Sequence, residues 1–100
     1  MRRLPVVFRA QALADLHSIE QYIAADDPAA ASWVVRRIHD TIFRTLARFP
    51  HGGRLDPETG VREFAVARLP YLIIFIPKED ALDIVGIFHT SRPPSAKPTP

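Results

Sequence analysis

The segment Tyr71-Leu72-Ile73-Ile74-Phe75-Ile76 constrains this chain more than any other stretch. Side chains of a strand alternate between faces, so Tyr71, Ile73 and Phe75 lie opposite Leu72, Ile74 and Ile76. Both sets are largely apolar. A strand of that kind is central in its sheet and needs cover on both faces. The preceding run, Val61 to Ala67, alternates instead. Arg62, Phe64, Val66 and Arg68 share one face, and Val61, Glu63, Ala65 and Ala67 the other. With the Leu69-Pro70 break between them, the two runs predict an antiparallel hairpin. What covers its second face is the question on which function turns.

Upstream, Leu4 to Phe8 reads as a short strand, with Pro5 at an edge or a strand start. From Ala10 the period becomes helical: Ala12, Leu16, Ile19 and Ile23 form a stripe that Leu13 and Tyr22 widen. Asp27 is a natural N-cap for a second helix and Pro28 suits its first position. That helix carries Ala31, Val34, Ile38, Ile42, Leu46 and Phe49 at spacings of three and four, until Pro50 ends it. The turn between the helices is short, so they predict an antiparallel helical hairpin. The helix's other side holds Trp33, Arg36, Arg37, Asp40, Phe43, Arg44 and Ala47. Charges belong on an outer face. Trp33 and Phe43 read either as boundary packing or as partner contacts.

His51 to Gly60 is a loop with three of the four glycines. Gly52-Gly53 is no phosphate cradle, because it follows a helix and leads into a strand. After the hairpin and the polar turn Lys78-Glu79-Asp80, Leu82 to His89 forms the last strand. In it Leu82, Ile84 and Phe88 alternate with Val85 and Ile87, and Gly86 marks a bulge or a close approach. Residues 93–100 form a Pro-rich tail of disordered composition. The expected fold is α+β in two layers: an N-terminal strand, a helical hairpin, then a three-stranded antiparallel meander, all strands in one sheet. Two helices blanket only one face of it. The other face calls for a partner chain, self-association or the tail.

One hundred residues suffice for one domain with a modest core. No apolar run is long enough to span a bilayer, and no signal-peptide stretch follows the N-terminal arginines, so a cytoplasmic protein is expected. Without cysteine there are no disulfides or thiolate metal sites. A net charge of +2 admits an acidic partner or nucleic acid without choosing between them. The four histidines show no metal-ligand spacing within one element, and neither metal nor cofactor is expected. There is no serine elbow and no carboxylate pair. The best chemical cluster is Arg62, Glu63, Arg68, Tyr71, His89 and Arg92. His89 and Tyr71 could exchange a proton with a ribose hydroxyl while the arginines hold a phosphate. The competing reading makes the arginines solvated edge charges and His89 a locally bonded strand end.

The order of motifs is that of a known group. Ala12-Leu13-Ala14-Asp15-Leu16 with Ile19 and Tyr22-Ile23, then Ala30-Ala31, Leu46 to Pro50, Gly53-Arg54, Val61-Arg62-Glu63-Phe64, Tyr71-Leu72-Ile73 and His89 with Arg92 resemble the RelE/ParE superfamily. These are toxins of type II toxin–antitoxin systems. The resemblance covers nearly the whole chain to Arg92, and implies a toxin domain over residues 1–92. It implies the same fold, with the first strand beside the last. It also implies growth inhibition by the free toxin and neutralisation by an antitoxin whose C-terminal segment wraps it. The antitoxin surface expected here comprises Trp33, Arg36, Arg37, Phe43, Arg44 and Arg54.

RelE-like members cut mRNA on the ribosome, whereas ParE-like members poison DNA gyrase. Leu72 stands where the best-known ribonuclease branch carries a basic residue, Ala65 and Ala67 replace expected cations, and no tyrosine follows His89. These departures favour the ParE-like branch and a non-enzymatic toxin. If the chain is instead a nuclease, His89, Tyr71, Arg62, Arg68 and Arg92 are its catalytic candidates. A third reading is a degenerate member that only binds its antitoxin in an autoregulatory complex.

Overall fold

Each predicted element forms, and two short ones are added. The structure, a computed structural model, describes residues 3–100, so Met1 and Arg2 at the start of the expected domain lie outside it. In chain order come β1 (Val6–Phe8), α1 (Ala10–Ala24), α2 (Pro28–Asp40), a π-helical turn (Thr41–Leu46), β2 (Arg54–Leu55), β3 (Arg62–Ala65), β4 (Tyr71–Pro77) and β5 (Leu82–His89). The strands make one sheet in the order β1-β5-β4-β3-β2. β1 runs parallel to β5, and every other pairing is antiparallel. The two-layer α+β expectation therefore holds, with the first strand beside the last. The additions are β2, inside what reads as a loop, and a 3-10 turn (Pro94–Ala96) in the tail whose composition reads as disordered.

The helices begin and end for local reasons. Asp27 caps α2, its carboxylate accepting the Ala30 amide at 3.1 Å, with Pro28 at the first position. Beyond Asp40 the amide of Ala47 donates to Ile42 O, five residues back, instead of four. This wider turn delays the helix phase. Ile42 and Leu46 stay buried, but Ala47, expected on the outer side, is buried too, and Phe49, expected in the core stripe, is 56% exposed. On α1, Ala12 and Leu16 are buried as expected, whereas Leu13 and Tyr22 face solvent. The apolar stripe of α1 is narrower than its composition suggests.

The helical layer packs Ile38, Ile42 and Leu46 against Val66, Tyr71, Ile73, Phe75, Leu82, Ile84 and Ile87, with Phe64 at the margin. The opposite face of the sheet carries a second cluster: Val61, Ile74, Val85 and Phe88, flanked by Leu72 and Ile76. Between them lies the bulge expected near Gly86. Ile74 pairs with Gly86 and Phe75 with Ile84, so Val85 is the extra residue. The bulge resets the alternation downstream. Ile87 joins Leu82 and Ile84 on the helical side and Phe88 joins Val85 on the other, the reverse of simple alternation. Arg68 is corrected as well: it stands outside β3, at φ 66° in the turn to β4. The amides of Val66 and Leu69 close that turn on Tyr71 O and Val66 O.

Candidate functional site

β1 covers β5 only along Leu82–Ile84, so the outer edge of β5 is open from Gly86 onward. An open edge exposes backbone donors and acceptors. Here α1 meets part of that need: Asp15 Oδ2 accepts the Ile87 amide at 2.9 Å, and Gln11 Nε2 donates to Asp15 Oδ1 at 2.8 Å. The space between α1, the open edge and the chain after β5 is a cleft of about 660 Å³. Gln11, Asp15, Ser18 and Tyr22 line it from α1, Tyr71 and His89 from the sheet, and Arg92, Ala96 and Pro98 from the C-terminal segment.

Tyr71 and His89 stand opposite each other on β4 and β5, their rings edge to face with centroids 5.2 Å apart. Tyr71 is buried, and that burial, reinforced by Tyr22, pushes its phenol above the ordinary value of 10.0. It keeps its proton at physiological pH and can donate. The Ser91 amide donates to His89 Nδ1 at 3.1 Å, and Ser91 Oγ lies 2.6 Å from the same nitrogen. A backbone N–H cannot accept, so Nδ1 is the acceptor in its contact with the Ser91 amide. Each Asp15 oxygen accepts one hydrogen bond, which ties the carboxylate to α1 and to the β5 edge.

The five nuclease candidates do not converge. Tyr71, His89 and Arg92 share the cleft. Arg62 lies at the other end of the β3–β4 ladder, opposite Phe75, and its Nη1 donates to His51 O at 2.9 Å. Arg68 sits in the turn before Tyr71 and does not line the cleft. Gln11, Asp15, Ser18 and Tyr22 were missed by sequence reasoning. Asp15 and Ser18 carry no periodic signal, but Tyr22, apolar and on the margin of the α1 stripe, was the available hint. Among the described residues, no group of three or more His, Asp and Glu side chains is arranged to hold a metal ion.

Of the residues expected to meet an antitoxin, all but Arg54 lie on α2 and the π-helical turn that continues it, in two stripes. Trp33 is 48% exposed and carries the Arg37 guanidinium 5.6 Å from its ring centre, a cation–π stack on the surface. Farther along, Arg44 approaches Asp40 at 3.8 Å. Six residues turn the helix about 120°, and His39 there opens the second stripe. Its ring and that of Phe43 stack with Phe8 of β1, all three centroid distances lying near 6 Å. Phe43 is still 40% exposed. Arg36 borders a shallow depression with Glu20 and His39. Arg54, on edge strand β2, faces solvent away from both stripes.

An α1–α2 hairpin laid on one face of a β1-β5-β4-β3-β2 sheet is a shape found in proteins already known. The family model described as the ParE toxin of the type II toxin–antitoxin system parDE matches residues 6–94. This chain belongs to the ParE toxin family. It is 36% identical over 92 residues to Y4kP of Sinorhizobium fredii, named as a candidate toxin, covering 92% of this chain and 94% of that one. It is 38% identical over 87 residues to toxin RelE2 of Caulobacter vibrioides, covering 87% and 96%. In three dimensions it matches a chain of the chromosomal ParDE toxin–antitoxin system of P. aeruginosa with a TM-score of 0.74 at 26% identity, over 87% of this chain and 96% of that one. A chain of the toxin–antitoxin complex RelBE2 of Mycobacterium tuberculosis shares the fold, with a TM-score of 0.59 at 19% identity over 88% and 99%. This ParE-family chain is a type II toxin of the ParE/RelE superfamily. Among its described residues, no helix is long and apolar enough to cross a membrane.

Proposed function

We propose that this toxin acts in the cytoplasm by trapping DNA gyrase on cleaved DNA through protein contact, and that a cognate antitoxin neutralises it. The state of the cleft carries this reading. Cutting RNA through a ribose hydroxyl needs a base, an acid and cations for the charge that grows on phosphate. Here burial keeps Tyr71 protonated, the Asp15 carboxylate is tied to Gln11 and the β5 edge, and Arg62 and Arg68 lie outside the cleft, which leaves Arg92 as its arginine. Leu72, Ala65 and Ala67 thin the positive charge further, which suits a protein partner better than a phosphate chain. The relatives' assembly with antitoxins supports the neutralising partner, and half-exposed Trp33 and Phe43, with Arg36, Arg37 and Arg44 on the same helical segment, suit its docking, whereas Arg54 lies apart on β2.

Induced expression separates the alternatives. Filamentation and a DNA-damage response should precede any fall in protein synthesis, and the purified toxin should stabilise gyrase-cleaved plasmid. Codon-positioned mRNA cleavage that disappears in His89→Ala would overturn this and establish the ribosome-dependent endoribonuclease. Antitoxin binding with neither effect would leave the autoregulatory role.

A further inference from the structure

β1 forms one outer edge of the sheet, and its bonds to β5 fix which of its backbone groups face outward. Pro5 O accepts the Leu82 amide at 2.8 Å, and the Arg9 amide donates to Ile84 O at 3.0 Å. Backbone groups alternate sides along a strand. Residues 5, 7 and 9 therefore address β5, while Val6 and Phe8 turn both amide and carbonyl away from it. The row is closed at both ends. The Leu4 amide is spent on Ala47 O at 2.9 Å, and α1 begins at Ala10. Two donors and two acceptors remain for an outside strand, with Val7 between them 48% exposed.

Edge strands are commonly guarded by charge, but the charges beside Val7 are turned inward. Arg9 and Lys78 are both drawn onto Asp83, the neighbour of Val7 on β5, at 3.1 and 3.0 Å. On the helical side the edge carries Phe8, stacked with His39 and with the half-exposed Phe43. The row is also complementary to itself. Laid antiparallel on a second copy with Val7 on the two-fold axis, Val6 of each chain faces Phe8 of the other. All four outward bonds are then made, together with two aromatic–β-branched pairs of the kind that stabilise sheets. Val7 meets Val7, Arg9 faces Pro5 instead of another arginine, and Arg3 falls outside the paired row. Neighbouring registers fail. An axis at Val6 opposes Phe8 to Leu4, whose amide is already bonded, and an axis at Phe8 opposes Val6 to the first residue of α1.

We propose that β1 is a self-association edge, through which two copies of the free toxin join their five-stranded sheets antiparallel about Val7. Neither gyrase nor an antitoxin takes part in this contact. Three residues a side and an aromatic rim fall short of the roughly 800 Å² per partner that a stable dimer buries. Association is therefore reversible and grows with concentration, with a dissociation constant on the order of 100 µM.

The test is sedimentation velocity on the purified full chain from about 1 µM to about 1 mM, across which wild type should pass from monomer to dimer. Val7→Lys sets two like charges on the axis at an exposed position and should weaken the dimer at least about fivefold. Val7→Cys locates the contact. The chain has no other cysteine, and the Cα atoms of a non-hydrogen-bonded antiparallel pair lie about 4.5 Å apart, within disulfide reach. Under mild oxidation this variant should give a covalent dimer far faster than Leu13→Cys, on α1 and 55% exposed. Circular dichroism identifies a variant that fails to fold, in which case the other substitution at position 7 carries the measurement. A wild-type chain still monomeric at about 1 mM overturns the dimer. So does a dimer that Val7→Lys leaves intact, or cross-linking no faster at position 7 than at position 13, since either puts the contact elsewhere. Hydrogen exchange at Val6 and Phe8 that slows only on adding the neighbouring antitoxin, never with toxin concentration, also overturns it and assigns the edge to the antitoxin.

Discussion

The two faces of this sheet are built from similar side chains and secured by different means. On one, Ile38, Ile42 and Leu46 of the helical layer interlock with Ile73, Phe75 and Ile84 in a continuous core held by two long helices. On the other, Val61, Ile74, Val85 and Phe88 lie beneath a strap of the C-terminal segment, held by the Lys97–Glu63 ion pair, the Lys97–Phe88 contact and Pro98 packed on Gly86. Burial is almost as complete on both. What differs is the free energy needed to uncover each, because the helices unpack only with the whole domain, whereas the strap can open locally. The sheet is therefore stabilised from one side and accessible from the other.

The largest effect expected from this contrast is on the helical side. Ile42→Ala should cost about 2–5 kcal/mol in chemical denaturation, as for a fully buried residue whose surroundings collapse poorly. A smaller loss would mean that the helices do not dominate stability. Next comes the solvent side of the same layer, where affinity and stability should separate. Trp33→Ala should weaken the antitoxin complex by about 2 kcal/mol through faster dissociation, with little change in folding. Arg36→Ala should chiefly alter the salt dependence of association. An unchanged dissociation rate would make Trp33 a boundary residue.

A third, smaller effect belongs to a charge on the strap side that is held by two cations. Alternation puts Asp83, between Leu82 and Ile84, on that face, bound to Arg9 at 3.1 Å and Lys78 at 3.0 Å. Burial pushes its carboxyl up, but the hydrogen bonds and charges of Lys78 and Arg9 outweigh this and hold it below the ordinary 3.8. Its folded value is depressed, so its contribution is present in full above the unfolded value and is lost as pH falls through the folded one. Asp83→Asn should cost about 1–2 kcal/mol at neutral pH. That deficit should shrink below pH 3.8 in acid titrations followed by tryptophan fluorescence. A constant deficit would assign the loss to packing. Smallest of all, Lys97→Ala should lower stability by less than about 1 kcal/mol in thermal melts, since Lys97 is a third exposed. A larger loss would mean that the strap is a full part of the core.

Legibility in the sequence followed how many residues signal each feature. β4 announced itself through six consecutive apolar positions and α2 through a long stripe ending at Pro50, and the cap at Asp27 needed only its own chemistry. Single-residue slips were invisible. The π turn moved Ala47 inward and Phe49 outward, and the bulge at Val85 exchanged the faces of Ile87 and Phe88, because periodicity records spacing and not an inserted residue. β2 is two residues long, too short to alternate. At the cleft, Tyr71, His89 and Arg92 were found through their side-chain chemistry. Gln11 and Asp15 were not, since their roles depend on a strand edge more than seventy residues away that only the folded chain brings near. The strap was the hardest to see. Proline-rich composition describes a segment's own preferences and says nothing of the Glu63 that holds it.

The parallel pairing of β1 with β5 has a consequence for synthesis. Val6 finds its partner only at Leu82, so the first strand made must wait for the last before it has a neighbour. Distant pairings of this kind slow folding, because a long loop closes before the contacts that reward it. Until Leu82–His89 is complete, a growing chain possesses its helices and its central hairpin but no finished sheet, no Ile87 amide for Asp15 and no wall for the cleft. The sheet and the cleft on its edge thus take shape together and late, when the last strand has been made.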